Sequence, residues 1–175
     1  MDTAMLVVPK IAARAFADVA VGSLIRVSWG PGVKLGLMAK AKGQAPQMVV
    51  IRADGDEHTP FIHPANPDSG MAVLDYGADW FVSVNDESGK PGVPEFMSRE
   101  FCVVFVGEDI YLRHWTAGGG LTNPFYLNLT TFEILRGGQP FGSEWEAWHF
   151  NRWEIRLRNN EPDGKSKVLF NWPIG

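Results

Sequence analysis

Residues 101–115, FCVVFVGEDIYLRHW, constrain the fold of this chain more than any other stretch. The first six are an unbroken apolar run rich in β-branched and aromatic types. That run is too short for a free-standing helix and suits a strand buried on both faces. Gly107, Glu108 and Asp109 then read as a turn. From Ile110 the period becomes two, with Ile110, Leu112, His114 and Thr116 on one side and Tyr111, Arg113 and Trp115 on the other. The pattern predicts a β-hairpin. The glycines at 118–120 take the chain out of the sheet, because glycine loses the most backbone entropy on ordering.

The chain has 175 residues, enough to bury about 70% of its unfolded surface without a disulfide framework. Its seven tryptophans and eleven phenylalanines are accommodated more readily by strands than by helices. The lone cysteine, Cys102, sits inside the apolar run and reads as a small buried hydrophobe. A single thiol fits a reducing, cytoplasmic setting. A net charge of −4 with mixed signs gives no general nucleic-acid footprint. The first residues show neither a basic leader nor a span of about 20 apolar residues, so no membrane association is expected.

Taken in order, residues 1–20 are expected to form an arm. It contains a short N-terminal helix over residues 9–17, with Pro9 in its first turn and Ile11, Ala15 and Val19 sharing a face. Residues 21–175 are expected to form a single all-β domain of nine to twelve short strands. Strands are predicted over 24–29, 33–41, 48–52, 71–76, 80–85, 125–136, 152–158 and 167–172 in addition to the hairpin. In residues 152–158, Trp153, Ile155 and Leu157 should face inward while Glu154, Arg156 and Arg158 face out. Residues 53–70 and 86–94 read as loops, and Ser143 with Glu146 has the spacing of a capping box for one helical turn.

Three segments repeat a glycine followed by a strand, led by Gly22, Gly70 and Gly107; each has a later strand opening on a bulky residue, Met48, Phe101 or Phe132. Residues 108–115 and 131–135 resemble the repeat cores of β-trefoil proteins of the fascin and ricin-lectin kind, without the lectins' Gln-x-Trp signature. The resemblance covers about residues 20–160. It implies three repeats of four strands in a closed barrel with a hairpin cap, the alternatives being another β-barrel or a β-sandwich.

Three constellations carry chemistry. His58, His63 and His114, with nearby carboxylates such as Asp54, Asp56, Glu57 or Asp75, are the residue types of a metal site, although their spacing matches no helical ligand pair. Asp75, Trp80, Asn85 and Asp86 combine planar polar groups with an aromatic ring, the combination that binds sugar hydroxyls and stacks on a sugar's C–H face. The plainer reading puts Trp80 in the core and the others in turns. Residues 145–152 hold Trp145, Trp148, His149, Phe150, Asn151 and Arg152; if extended throughout, they leave Trp148 and Phe150 exposed, whereas a bend before Trp153 would return both to the core.

No phosphate loop, dinucleotide fingerprint, nucleophile elbow or H-E-x-x-H motif is present. Glu144 and Glu146 could serve glycoside hydrolysis only at a through-space separation that the sequence does not give. The residues therefore point first to a binding module for a carbohydrate or other small polar ligand, with Asp75, Trp80, Asn85, Asp86, Trp148 and Arg152 as candidate contacts and no cofactor. Two alternatives stand beside it: a metal-dependent or hydrolytic β-barrel enzyme using the histidines, and an assembly domain whose exposed aromatics bind another chain or a second copy.

Overall fold

The computed structural model describes residues 11–30, 32–53, 64–65, 67–95, 100–115, 124–136, 146–158 and 166–173. These form fifteen strands with two short 3-10 turns, Phe16–Asp18 and Asp86–Ser88, and no α-helix among the described residues. In chain order the strands are β1 Ala12–Ala15, β2 Leu24–Ser28, β3 Val33–Ala41, β4 Gln47–Ala53, β5 Pro64–Ala65, β6 Ala72–Asp75, β7 Trp80–Val84, β8 Gly89–Pro91, β9 Cys102–Val106, β10 Asp109–Trp115, β11 Pro124–Asn128, β12 Glu133–Arg136, β13 Ala147–Phe150, β14 Trp153–Leu157 and β15 Lys167–Trp172.

Twelve strands join in one mixed sheet, ordered β1-β6-β2-β3-β12-β11-β10-β9-β13-β8, with β4 and then β5 branching from β3. The hinge of this sheet is β3, which is long enough to serve several neighbours. One edge pairs with β4; the other pairs with β2 and then, at Lys40 and Ala41, runs parallel to Glu133 and Ile134 of β12. The remaining strands, β15-β14-β7, form a separate antiparallel sheet.

Period-two alternation decides which face each side chain serves. Leu35, Leu37, Val49, Ile51, Val103, Leu112, Phe125 and Leu127 of the large sheet meet Trp153, Ile155, Leu157 and Phe170 of the small one in a shared core. The opposite face of the large sheet carries two further clusters. Phe16 and Val19 cover Ile25, Val27, Met38, Met48 and Val50 on one half, and Cys102, Val104, Tyr111, Tyr126 and Ala147 gather on the other. Each fully buried Leu, Ile or Phe contributes about 1.5–3 kcal/mol through removal from water.

The opening hairpin forms as expected. Val106 pairs with Asp109 across a turn at Gly107 and Glu108, and Gly107 takes a φ of 58° that suits glycine. Alternate residues of β9 enter different clusters, Val103 the shared core and Cys102 and Val104 the outer one. The run is thus apolar throughout because both of its faces pack against apolar clusters. In β14 the inward set Trp153, Ile155 and Leu157 is each 1% exposed, again as the alternation implies.

Other expectations are corrected. The N-terminal helix is replaced, over its described part, by β1 and the turn Phe16–Asp18. Alanine-rich residues offer a helix good propensity but almost no apolar stripe to bury. As a strand the same residues satisfy the edge of β6, Arg14 reaches Asp75 at 3.0 Å, and Phe16 and Val19 become buried. The single strand expected over 125–136 is a hairpin, β11 and β12. Asn128 breaks it by accepting the N–H groups of Thr130 and Thr131 at 2.8 and 2.9 Å. The loops at 53–70 and 86–94 contain β5 and β8. Ser143 lies outside the described residues, so its capping box does too.

The described pairings do not close into a barrel; the strand path ends at β1 and β8. Nor do the three glycine-led segments enter equivalent places. Strand β2 lies between β3 and β6, β6 between β1 and β2, and β10 between β9 and β11. No threefold repeat of pairing results, and no trefoil is identified.

Candidate functional site

The alternation that buries Trp153, Ile155 and Leu157 sends Glu154 and Arg156 to the outer face of the three-stranded sheet. Strand register then places Ser83 and Asn171 directly beside Glu154, giving a row Ser83–Glu154–Asn171 across β7, β14 and β15. An open groove of about 470 Å³ lies over this row, lined also by Asn85, Arg152, Arg156 and Trp172.

These groups are not equally available. Arg156 grips Glu154 Oε2 with Nε and Nη2, both at 2.7 Å, and its Nη1 donates to Ser166 Oγ at 3.2 Å. A fork of this kind fixes both side chains. Arg152 is exposed, and among the described residues its guanidinium makes no hydrogen bond or ion pair. Asn85 caps the turn Asp86–Ser88, accepting the Glu87 N–H at 2.9 Å, so only its NH2 group remains to donate.

The end of the groove is held by backbone. The Asn85 N–H donates to Arg152 O at 2.9 Å, the Arg152 N–H donates to Ser88 Oγ at 3.2 Å, and Ser88 Oγ donates to Asn85 O at 2.8 Å. Asn85 and Arg152, drawn from two different constellations of the sequence, therefore sit side by side. Ser83, Glu154, Arg156 and Asn171 were not singled out. Their outward positions were readable in the alternation, but not the pairing of β7 with β14 and β15 that unites them.

The other candidates lie elsewhere. Asp75 is buried and doubly committed: Oδ1 accepts the Gly77 N–H at 2.8 Å and Oδ2 pairs with Arg14. Trp80 is a core residue whose indole donates to Gly22 O at 2.9 Å. Asp86 is exposed on the turn beside the groove without lining it. A bend at Asn151 and Arg152 does carry the chain from β13 in the large sheet to β14 in the small one, as anticipated. It returns Phe150 to partial burial against Phe105, with ring centroids 5.3 Å apart, but leaves Trp148 49% exposed opposite Pro91 and Phe105. His58 and His63 lie outside the described residues, and His114 occupies a backbone position on β10 opposite Phe125. Among the described residues no three His, Cys, Asp or Glu side chains gather as a metal site.

A second polar cluster was not foreseen. His149, buried on β13, has Nδ1 2.8 Å from Gly92 O and Nε2 3.6 Å from Glu100, which also approaches Lys90 at 3.8 Å. These contacts tie β13 and β8 to the start of β9.

Cys102 is inaccessible, and burial pushes its thiol from 9.0 up to about 12 against the opposing pull of the Arg113 charge. A thiol so protonated is no nucleophile. The linkage has a definite sign. Below pH 9 both folded and unfolded chains keep the proton; from 9.0 to about 12 only the unfolded chain gives it up. Stability should therefore fall with rising pH in that window, by up to about 1.4 kcal/mol per pH unit from this group. Tyr111 and Tyr126, also raised by burial, add to the fall above their ordinary value of 10.0. Urea midpoints measured from pH 8 upward should decline less steeply in Cys102→Ala than in the unsubstituted chain, and equal slopes would refute the assignment.

The molecule is thus an all-β protein with a polar groove on the outer face of its smaller sheet. No protein family, curated protein or solved structure matches the chain, and no helix among the described residues is long and apolar enough to cross a membrane.

Proposed function

We propose that the chain is a binding module that takes a small polar ligand, a carbohydrate foremost, in the groove over Ser83, Glu154 and Asn171. The observation that carries this reading is the cross-strand row itself. It sets a hydroxyl, a carboxylate and an amide side by side on rigid backbone, with the Arg152 and Asn85 donors at one end. Adjacent sugar hydroxyls need such alternating donors and acceptors, and sites built on strands hold them more closely than sites on loops. The reading does not depend on a trefoil arrangement, because three paired strands make the groove.

Heteronuclear NMR titration with a panel of mono- and disaccharides tests it. Shifts should concentrate on β7, β14 and β15, and Asn171→Ala or Ser83→Ala should weaken binding about three- to tenfold, the worth of one hydrogen bond each. Trp148→Ala should leave affinity unchanged. Shifts that cluster instead around Trp148, with the groove silent, would move the site to β13 and end this proposal.

A further inference from the structure

Building on that reading of the groove, we propose that its ligand is an acidic sugar, bound through a carboxylate by Arg152. Two arginines and one glutamate line the groove, but they do not share their charges evenly. The Glu154 carboxylate is committed to Arg156, whose remaining donor reaches Ser166. Arg152 is left as the one guanidinium of the groove without a carboxylate among the described residues. It stands out as a local positive site on a chain whose net charge is −4. Asn85 reinforces the polarity: Oδ1 already accepts the Glu87 N–H, while its NH2 group adds two donors. The acids of the adjoining turn, Asp86 and Glu87, do not line the groove.

The same arrangement chooses between anions. A planar carboxylate matches a single guanidinium fork with two parallel hydrogen bonds. A phosphate dianion is better served by several cations, and Arg156 cannot join without breaking its pair with Glu154. Beyond the carboxylate, Glu154 Oε1, Ser83 and Asn171 remain for hydroxyls, so the complementary molecule is a hydroxylated ring carrying one carboxylate: a uronic acid or a short uronate chain.

The test uses the full chain and compares glucuronate and galacturonate with glucose and galactose, and with inorganic phosphate, by calorimetry and NMR at low salt. Uronates should bind about tenfold tighter than their neutral parents. Arg152→Ala should weaken uronate binding about tenfold more than it weakens binding of the neutral parents, abolishing the preference, and Arg152→Lys should restore part of it. Because Arg152 is exposed, neither variant threatens the fold. Equal affinity for acidic and neutral sugars, unaffected by Arg152→Ala, overturns the acidic class and leaves the binding groove standing. Phosphate that displaces uronate at equal concentration overturns the choice of carboxylate. Silence with every probe overturns both this inference and the carbohydrate reading beneath it.

Discussion

Replacing Arg113 by alanine is expected to destabilise the protein by about 3–5 kcal/mol through a large-to-small cavity and the loss of its hydrogen bonds, a large share of the 5–15 kcal/mol typical of a domain. Arg113 is 0% exposed on β10, where a cation survives only if its donors are satisfied. Each of its three nitrogens has an acceptor: Nη1 donates to Glu100 O and Nη2 to Glu95 O, both at 3.0 Å, and Nε donates to the Tyr126 hydroxyl at 3.2 Å. The side chain therefore ties Glu95 and Glu100 to the outer cluster of Cys102, Val104 and Tyr126. Truncation removes all three hydrogen bonds, one of them buried, and opens a cavity beside Tyr126. Arg113→Met fills most of the volume and none of the hydrogen bonds, so its urea midpoint should lie between alanine and the unsubstituted chain. A methionine variant as stable as the original would show that packing, and not the hydrogen bonds, is what Arg113 contributes.

The alternation gave no hint of this role. It put Arg113 on the same side as Tyr111 and Trp115, and the acceptors Glu95 O and Glu100 O lie outside the hairpin. What could be read were segments long enough for their period to show. Residues 101–115 declared a hairpin and residues 152–158 declared their inward face, because five or more alternating residues distinguish a strand from its neighbours. Strands β1, β5 and β8, of two to four residues, have no period of their own. They exist because an adjacent edge needs partners, a tertiary cause with no local signature.

The groove was half visible for a similar reason. Asn85 stands out in the sequence as an amide beside a turn and Arg152 as a cation beside an aromatic cluster, both local signals. Their meeting depends on β7 pairing with β14, which brings Val84 opposite Trp153 across a long stretch of chain. The bend after β13 hides the site further. An unbroken strand through Trp148 and Trp153 would have kept both in one sheet, whereas the break at Asn151 sends Trp148 to the large sheet and Glu154 to the small one. Asp75 and Trp80 drew attention by type alone, and both turn out to serve the fold.

Gly22→Ala should cost about 2–5 kcal/mol, far more than the same change at Gly107. Both glycines have positive φ, 92° and 58°, so each substitution carries a backbone penalty of about 1–2 kcal/mol. Only at Gly22 is the space also occupied, since an added Cβ would lie 2.7 Å from Cε2 of Phe132, while at Gly107 it meets nothing within 4 Å. The Phe132 ring has little freedom to retreat. Its own φ of 56° is imposed by the turn that Asn128 caps, its N–H donates to Asn128 O at 2.9 Å, and its ring meets Trp80 at 5.9 Å. Trp80 in turn donates to Gly22 O, so displacing one member disturbs all three where β2, β7 and the β11–β12 turn converge. Overpacking of this kind adds about 1–3 kcal/mol. Thermal unfolding of the two alanine variants separates the terms, and Phe132→Leu supplies the decisive comparison. If the ring is the obstacle, Gly22→Ala should cost about 1 kcal/mol less when combined with Phe132→Leu than alone, a coupling that strictly additive variants would disprove.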